Sequence, residues 1–543
     1  MEHLNRRLGT FALTLTGVGS IIGSGWLFGA WKAAKVAGPA AIWAWVIGMV
    51  AIMLIGLTYA ELGATFQVSG GAVRYGQYSH GSLVGFLAGW ANWIAIVSVI
   101  PIEAEASIQY MTSWPWHWVP TWIHTMYDGK TLNLLGLSFG AVLVILYFLV
   151  NYWTVELFSR FNSTITTFKL IIPALTAIGL IVAGFHGQNF SHYGGFAPNG
   201  WSAVLTAIAT SGVIFAFNGF QSPVNLAGEA RNPNRSIPIA VISSILISGV
   251  IYLFLQVAFI GSLRPEMLAH GWSGINLKSP FADLAVAWSL NWLALVLFAD
   301  AFVSPSGTGM TYTATTSRMV LGMTENGWFP KYFGTTHPFY RVPRRAMWLN
   351  LGISFVFLLL FRGWGELAGV ISVATLVSYV TSPVAVVSLR RTAVNLPRPL
   401  KVAGLKGIAP VAFMMASLIM YWARWPLTGE VLFVMIIGLP IFLYYQAKEG
   451  WQGFGNHFKA GIWLVVYMFY MLLESWLGSS KFGGINVIPY GWDMLVVAAS
   501  SLVFYYWGLK SGWRTEQVAK LEEELLAYKA TEAARGEVAP GRE

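Results

Sequence analysis

The 543-residue sequence has no cysteine and very little charge. Without cysteine, the chain has no disulfide, no thiolate-bound metal and no cysteine nucleophile. Asp, Glu, Lys and Arg make up 10% of the residues, compared with roughly 25% in soluble domains. Apolar residues make up 56%, and the mean hydropathy is +0.60. So few charges cannot cover a water-soluble surface, and we therefore expect lipid to be the main solvent of this chain.

The sequence also lacks the short motifs of common hydrolases and ATPases. It contains no His-Glu-x-x-His motif and no nucleotide-binding P-loop, and its one Gly-x-Ser-x-Gly match, Gly136 to Gly140, lies inside an apolar segment and not at the strand-to-helix turn of a nucleophile elbow. We therefore predict that the protein is not an enzyme and is not driven directly by ATP. We also predict no cofactor and no metal site.

Apolar segments long enough to cross a bilayer recur along the whole chain. A spanning helix needs about 20 mostly apolar residues. About fourteen segments qualify, at 11–36, 39–66, 81–113, 132–152, 161–185, 201–227, 237–262, 285–317, 345–361, 366–389, 407–424, 428–446, 460–478 and 490–509. Arg6 and Arg7 precede the first segment, which runs too far to be a signal peptide. The sequence thus predicts an all-α polytopic membrane protein.

Basic residues are concentrated on one side of this predicted topology. With the N-terminus in the cytoplasm, 24 of the 33 Lys and Arg residues fall in cytoplasmic segments. The densest clusters are Arg341, Arg344 and Arg345, and then Arg390, Arg391, Arg398, Lys401 and Lys406. This positive-inside bias predicts a multi-pass protein of the plasma membrane with both termini in the cytoplasm. It also accounts for the net charge of +10, so no nucleic-acid partner is predicted.

Two of the predicted spans contain residues that interrupt a helix. The first span carries Gly23-Ser24-Gly25, whose glycines point to different faces and are better explained by local unwinding than by close packing. The sixth carries Asn218-Gly219, a turn-forming pair inside an apolar run. Such backbone is tolerated in a membrane only where it is buried in protein or lines a cavity.

Paired interruptions of this kind predict a binding site near the membrane midplane. Free N–H groups at the start of a half-helix attract a carboxylate, and free C=O groups at the end of a half-helix attract an ammonium. An α-amino acid carries both groups. The sequence therefore favours a secondary transporter of amino acids.

Four motifs in the expected order give the chain a family resemblance. They are the residues 19–28, Tyr59-Ala-Glu-Leu-Gly63 with Ser69-Gly-Gly71, Phe215-Ala-Phe-Asn-Gly-Phe220 with Asn232-Pro-Asn-Arg-Ser-Ile-Pro238, and Ser317-Arg318 with Glu325-Asn-Gly-Trp-Phe-Pro330. Over its first ten segments the chain resembles the amino acid–polyamine–organocation superfamily. Its fourteen segments, together with Gly-Ser-Gly-Trp, are most similar to the aspartate–proton symporter branch.

The resemblance implies a LeuT-like fold of two inverted five-helix repeats, followed by about four additional spans. The implied organisation is a cytoplasmic N-terminus at 1–10, a first repeat at 11–185, a second at 201–390, additional helices at 391–510 and a cytoplasmic tail at 511–543. In that tail, Val518, Leu521, Leu525 and Tyr528 predict a short amphipathic helix.

The resemblance also implies a substrate site on both interruptions. The implied substrate-binding set consists of residues in or beside the two interruptions, namely Ile21, Gly23, Ser24, Gly25, Trp26, Phe215, Ala216, Asn218 and Gly219. The α-carboxylate would bind at residues 23–25 and the ammonium on carbonyls near Ile21, Phe215 and Ala216. Two positions depart from the family pattern: Trp26 replaces a common aliphatic residue, and Gln221 stands where an acid is frequent.

Lys169 is the one basic residue that the predicted spans place deep in the membrane. It lies about 13 Å of helix into the fifth span, which is far for a side chain that snorkels to the interface. A buried Lys is costly and can exchange its proton as its surroundings change. In proton-coupled members of the resembled family, a Lys in this span takes the place of a sodium ion. We therefore predict proton coupling through Lys169.

Polar residues in the third and eighth spans are further candidates. Glu103 and Glu105 face different ways, and either could determine selectivity, pair with Lys169 or have no role in transport. Near Asp300, Ser306 and its neighbouring hydroxyls could bind a side chain or satisfy backbone freed by Pro305.

The expected substrate is aspartate or another small amino acid, and the expected partners are this amino acid, protons and the bilayer. Apart from Lys169, no deep cation would bind an acidic side chain, so only the branch resemblance favours aspartate. An exchanger and a carrier of inorganic cations on the same scaffold remain the alternatives.

Overall fold

The computed structural model describes residues 8–66, 71–153, 155–338, 340, 342–448, 450–524 and 527. Several residues of the sequence arguments lie outside these ranges, namely Arg6, Arg7, Ser69, Arg341, Leu525 and Tyr528. Throughout the described ranges the regular structure is helical, apart from single bridges that join Leu8 to Ala230 and Tyr127 to Leu132.

The described residues form twenty-two α-helices. The first nine are α1 (Thr10–Ile21), α2 (Gly25–Ala37), α3 (Ala41–Thr65), α4 (Gly71–His80), α5 (Ser82–Val97), α6 (Val99–Met111), α7 (Thr121–His124), α8 (Leu134–Trp153) and α9 (Val155–Ala183). The next nine are α10 (Trp201–Thr210), α11 (Val213–Ala216), α12 (Ser222–Asn225), α13 (Pro233–Ser262), α14 (Pro280–Ala287), α15 (Asn291–Glu325), α16 (Arg344–Leu360), α17 (Trp364–Tyr379) and α18 (Thr381–Thr392). The last four are α19 (Leu405–Trp422), α20 (Leu427–Lys448), α21 (Phe454–Leu477) and α22 (Trp492–Ser511).

Eleven stretches within the described ranges are long and apolar enough to cross a membrane. The difference from the fourteen predicted segments arises in three places. Residues 25–65 count as one stretch although α2 and α3 are separate helices, the segment at 201–227 is divided into α10, α11 and α12, and α16 has only 17 residues. The multi-pass, all-helical architecture follows directly, and the count of fourteen remains a prediction.

Burial separates central from peripheral helices. The most apolar windows of α5–α6 and of α17–α18 are completely buried inside the protein, whereas that of α22 is only 33% buried. A helix that is apolar all round lies either in a protein interior or against lipid. The peripheral helices accordingly present apolar side chains outward, for example Leu360 on α16 and Val503 on α22. The site described below lies among the central helices.

A buried ion pair fixes the end of α3. Glu61 is 1% exposed and lies in the Tyr59-Ala-Glu-Leu motif. It accepts a hydrogen bond of 2.6 Å from Arg390 Nε on α18, and its second oxygen accepts from Arg390 Nη2 and from the backbone N–H of Val402 at 2.9 Å. The pair thus joins α3 to α18 and to the loop after it. Bidentate geometry and a third donor satisfy a carboxylate that burial would otherwise penalise.

The segment after α22 packs against α4. Residues 516–524 are helical, and Val518 is fully buried. The Thr515 hydroxyl donates to the carbonyl of Tyr78 at 2.8 Å, and the Trp513 backbone N–H donates to the carbonyl of Ser79 at 3.2 Å. These bonds connect the end of the described chain to the connection between α3 and α5.

We predict that Glu61→Gln destabilises the protein by about 3 kcal/mol, because it leaves the Arg390 guanidinium without its anion. Thermal unfolding of detergent-purified protein, followed by tryptophan fluorescence, measures the change. Arg391→Gln is the matched control, since Arg391 makes a single exposed hydrogen bond to the carbonyl of Leu509. Equal melting temperatures for Glu61→Gln and the control would contradict a structural role for the pair.

Candidate functional site

The first predicted interruption is present and separates α1 from α2. Ile22 has an extended backbone, and helical structure resumes only at Gly25. The backbone N–H of Ser24 therefore has no acceptor within its own helix and donates to Oε2 of Glu103 on α6, at 2.9 Å. The Ser24 hydroxyl accepts from the indole N–H of Trp364 at 2.8 Å. The α2 start is thus a ready-made anion site that an internal carboxylate occupies.

The second predicted interruption is also present. After α10 the chain makes a single helical turn, α11, and then turns through Asn218 and Gly219 before α12. Gly219 has φ of +112°, and a Cβ at this position would lie 2.6 Å from the carbonyl oxygen of Ser20. Only glycine allows this close backbone approach, which places the two interruptions side by side.

A second close approach joins the start of α2 to α11. A Cβ on Gly25 would lie 2.9 Å from the Cβ of Ala216 and 3.0 Å from its Cα. On the other side, the hydroxyl of Tyr252 on α13 donates to the carbonyls of Ala216 at 2.9 Å and Ile21 at 3.2 Å. Tyr252 therefore bridges the two half-helix ends, a role that sequence reasoning missed because nothing distinguishes it from other aromatics in an apolar span.

A small cavity of about 10 Å³ lies between the two interruptions, roughly the space that one water molecule occupies. Its lining residues are Ser20, Ile21, Gly23, Gly25, Val99, Glu103, Phe215, Asn218, Thr308 and Tyr312. Six of them belong to the predicted site or selectivity set. Ser20, Val99 and Tyr312 were missed, although Tyr312 follows Thr308 by one helical turn and could have been found by extending that face of α15.

Lys169 lies at the edge of this cavity and is 2% exposed. Its ammonium donates to the Thr308 hydroxyl at 2.6 Å and to the carbonyl of Gly19 at 3.2 Å. It therefore joins α9 to the last turns of α1 and to α15. Glu103 and Asp300 interact with it electrostatically, but no described carboxylate reaches the 4.0 Å that defines an ion pair with Lys169.

A row of polar side chains on α15 continues from Lys169. Thr308 donates to the carbonyl of Ser304 at 3.2 Å, and the Ser304 hydroxyl donates to Oδ1 of Asp300 at 2.8 Å. Spacing of four residues places all three on one face of the helix. The other oxygen of Asp300 is buried and has no hydrogen-bond partner in the described structure. The Thr308 hydroxyl donates to the Ser304 backbone and not to its hydroxyl, so Lys169 and Asp300 are two separate polar positions on either side of Ser304.

Glu103 occupies the centre of the site. While Oε2 accepts from Ser24, Oε1 is buried without a hydrogen-bond partner and lies 2.7 Å from the position of a Cβ on Gly23. The Glu103 carboxylate thus contacts the unwound residues Gly23 and Ser24, just before α2. The glycine at 23 is what gives it room.

Seven predicted residues do not line the cavity: Ser24, Ala216, Gly219 and Lys169 contact the interruptions as described above, and the other three, Trp26, Glu105 and Ser306, make different contacts. The Trp26 ring stacks on Phe281 at 5.7 Å. The Ser306 hydroxyl pairs with that of Tyr147 at 3.1 Å. Glu105 is buried on another face of α6, and neither of its oxygens has a hydrogen-bond partner among the described residues.

A larger vestibule lies further along α15. Thr308 and Tyr312 line the small cavity, and Thr315, Met319 and Gly322, on the following turns, line a vestibule of about 470 Å³. Other vestibule residues are Arg74, Asn225, Leu226, Glu229, Arg318, Leu321, Met323, Glu325 and Asn326. We call this the Arg318 vestibule.

Aromatic side chains close the cavity on the other side. Trp364 contacts Phe215, which lines the cavity, with ring centroids 5.7 Å apart, and contacts Phe28 at 5.1 Å. Phe28 in turn meets Tyr110 edge-on at 5.3 Å. The aromatic layer thus covers the Phe215 side of the cavity, while the Arg318 vestibule lies further along α15.

The family model described as "Amino acid permease" matches residues 8–442, which include both interruptions and every residue of the cavity. The chain belongs to the amino acid permease family. The resemblance to the amino acid–polyamine–organocation superfamily is thereby confirmed.

Individual relatives extend the similarity of this permease over its whole length. It is 61% identical over 538 residues to the glutamate/serine transporter AimA of Bacillus subtilis (strain 168). The aligned residues cover 99% of this chain and 100% of the relative. It is 38% identical over 517 residues to the aspartate–proton symporter of the same organism, covering 94% and 97%. The branched-chain amino acid permease BcaP, also from Bacillus subtilis (strain 168), is 26% identical, covering 82% and 94%.

These findings make the chain a multi-pass amino acid transporter and not an enzyme. The individual site residues remain predictions whose positions are now known. Among the described residues of this permease, no group of three or more His, Cys, Asp or Glu could hold a metal ion.

We predict that Gly25→Ala weakens amino acid binding by the permease at least about tenfold, because the added Cβ would push α2 away from the backbone of Ala216. Gly352→Ala is the matched control, since a Cβ there meets nothing within 4 Å. Binding of labelled amino acids to purified protein measures the effect, with membrane insertion checked on the same samples. If Gly25→Ala bound amino acids with wild-type affinity, the substrate site would not depend on the contact between Gly25 and Ala216.

Proposed function

We propose that this permease is a secondary active symporter that carries a small or acidic amino acid together with a proton across the plasma membrane by alternating access. The observation that carries the proposal is the arrangement of two charged groups around the first interruption. Lys169 holds the end of α1 and Thr308, and Glu103 holds the start of α2. Both charges therefore contact the backbone that would bind substrate.

The helix packing supports an inverted-repeat architecture. The first and sixth predicted segments touch at their interruptions. The second and seventh pack as α3 on α13, the third and eighth as α6 on α15, and the fourth and ninth as α8 on α16. Contacts between equivalent members of two halves are expected around a pseudo-two-fold axis. We therefore propose two inverted repeats at 11–185 and 201–390, with fourteen spans in total.

The distribution of basic residues supports an orientation. Arg74 and Arg318 line the vestibule, and the N-terminal Leu8 pairs with Arg231 and Glu229 near it. By the positive-inside rule this end faces the cytoplasm, and both termini lie there. The open vestibule and the closed aromatic layer then correspond to an inward-facing arrangement.

The backbone of an amino acid fits the two interruptions. The substrate α-carboxylate would accept from the N–H groups at the start of α2, as Glu103 does in this structure. The ammonium would donate to the carbonyls of Ile21 and of the α11 end. Tyr252 has a single hydroxyl hydrogen to share between Ile21 and Ala216, so acceptor capacity remains for the substrate.

The position of Glu103 suggests how substrate and proton are coupled. A substrate carboxylate can reach the Ser24 N–H only by displacing the carboxylate of Glu103. Two carboxylates in one buried site cannot both be ionised without a large cost, so a proton enters with the substrate. Lys169, which donates to Thr308 beside the cavity, offers a place to hold or return that proton. The bound proton then favours whichever conformation of the protein binds it more tightly.

The substrates named for two relatives support the choice of cargo. One relative is named for glutamate and serine and the other for aspartate. We propose that this permease likewise carries amino acids with an oxygen on a short side chain. Exchange without a proton gradient and transport of an inorganic cation are outcomes that the following tests distinguish.

We predict that purified permease in liposomes accumulates serine or glutamate when an inward proton gradient is imposed, and that sodium does not replace the proton. Lys169→Ala loses this accumulation but keeps exchange of substrate for substrate, because the backbone site does not require the ammonium. Lys448→Ala, at the exposed end of α20, is the control. Sodium-driven uptake or uptake of potassium alone would refute the proposal, and full accumulation by Lys169→Ala would place the proton elsewhere.

We predict that Glu103→Gln binds substrate at least as tightly as wild type but loses most proton-driven accumulation, because a neutral amide no longer exchanges a proton when substrate displaces it. Glu105→Gln is the matched control, since Glu105 is equally buried two residues later and does not line the cavity. Binding measured between pH 5 and pH 8 should vary with pH in the control and not in Glu103→Gln. If Glu103→Gln and Glu105→Gln showed the same pH profile of binding, Glu103 would have only a structural role.

A further inference from the structure

We propose that the side-chain amide of Asn218 is the group that recognises the substrate side chain, and that it selects amino acids with a side-chain oxygen over apolar amino acids of the same size. This inference rests on the proposed function and adds to it the residue that determines specificity. The class of cargo includes hydroxyl and carboxylate side chains, both of which accept a hydrogen bond.

The orientation of Asn218 follows from its neighbours. Its side-chain oxygen accepts from Gln221 Nε2 at 3.3 Å and shares the single hydrogen of the Tyr379 hydroxyl, also at 3.3 Å, with Gln221. Gln221 is fixed in turn, because its own oxygen accepts from the Gly219 N–H at 3.2 Å and from Tyr379 at 3.0 Å. With its oxygen held on this side, the amide nitrogen of Asn218 points away from Gln221 and Tyr379.

That nitrogen has no hydrogen-bond partner in the described structure, and Asn218 is 4% exposed while lining the cavity. A buried N–H without an acceptor has lost its hydrogen bond to water and gained none in return. A polar group so placed beside a cavity is satisfied by what enters the cavity. The missing partner is an acceptor, and a substrate oxygen supplies one.

The cavity separates the two ends of a substrate. Gly23 lies against Glu103 and Thr308, whereas Gly219, next to Asn218, lies against Ser20 one turn earlier in α1. If the α-carboxylate binds at residues 23–25, the side chain extends toward Ser20 and Asn218. The amide therefore meets the side chain and not the α-carboxylate.

The lining also explains how an acidic side chain is accepted without an ion pair. No Lys or Arg is among the ten residues that line the cavity, and Glu103 is the only carboxylate. A neutral N–H donor serves a carboxylate and a hydroxyl alike, because a hydrogen bond to an ionised acceptor is stronger but requires no cation. An acidic side chain such as that of aspartate can therefore bind here without a nearby Lys or Arg, because the Asn218 amide donates to it.

The test is exchange transport by purified protein in liposomes, comparing serine with alanine and glutamate with 2-aminopentanoate. In wild type, serine and glutamate should be preferred. Asn218→Ala should reduce the serine-to-alanine ratio of kcat/KM at least about tenfold, because the oxygen loses its donor while alanine loses nothing. Asn218→Asp, which keeps the shape and the acceptor but has no N–H, should do the same and should reject glutamate more strongly than serine.

Two further variants separate recognition from structural damage. Tyr379→Phe removes a hydrogen bond to the Asn218 oxygen. It should also lower the serine-to-alanine ratio of kcat/KM, but by less than Asn218→Ala does. Ser211→Ala is the matched control. Ser211 is also buried, at the bend between α10 and α11, and its hydroxyl has no partner among the described residues, but it does not line the cavity, so the ratio should not change. An unchanged ratio in active Asn218→Ala or Asn218→Asp protein would overturn this inference alone. Absence of any amino acid exchange in wild type would overturn the proposed function and this inference with it.

Discussion

Direct backbone contact between the two interrupted helices is the constraint on which the site depends. Gly219 lies against the carbonyl of Ser20, and Gly25 lies against Ala216. No side chain fits between these elements, so the half-helix ends of α1, α2 and α11 converge on one small cavity. The positions of Glu103, Lys169 and Tyr252 are consequences, because each of them binds backbone that the two interruptions have freed.

The second property of the site is that its polar groups are incompletely satisfied. Buried polar atoms are normally hydrogen-bonded, and this protein follows the rule at Glu61, whose carboxylate has three donors. Around the cavity the rule fails in complementary ways. Glu103 and Asp300 each have an oxygen without a donor, and Asn218 has a nitrogen without an acceptor. A site with such unsatisfied donors and acceptors is suited to bind a small polar guest and release it again.

The sequence predicted the parts of the site that conflict with their surroundings. Gly23-Ser24-Gly25 and Asn218-Gly219 disagree with helical propensity, and Lys169 disagrees with an apolar span, so each could be recognised without coordinates. Tyr252, Val99 and Tyr312 agree with their surroundings, and only tertiary packing assigns them to the site. Trp26 and Ser306 show the converse, since their side chains are occupied by Phe281 and Tyr147. Hydropathy predicted an all-helical membrane protein, and eleven stretches of the described ranges are long and apolar enough to cross a membrane. Turns inside the predicted segments, such as the one that divides residues 201–227, depend on contacts between distant segments.

The packing of the last described segment on α4 has a consequence for how the protein is made. The carbonyls of Tyr78 and Ser79 accept from Thr515 and Trp513, and the first of these bonds spans 437 residues of sequence. During synthesis, α4 is therefore complete long before its partner exists, and its exposed carbonyls must be hydrated in the meantime. The vestibule end of the molecule reaches its final form only after nearly the whole polypeptide has left the ribosome. A nascent chain that stops short of residue 513 lacks both of these hydrogen bonds to α4.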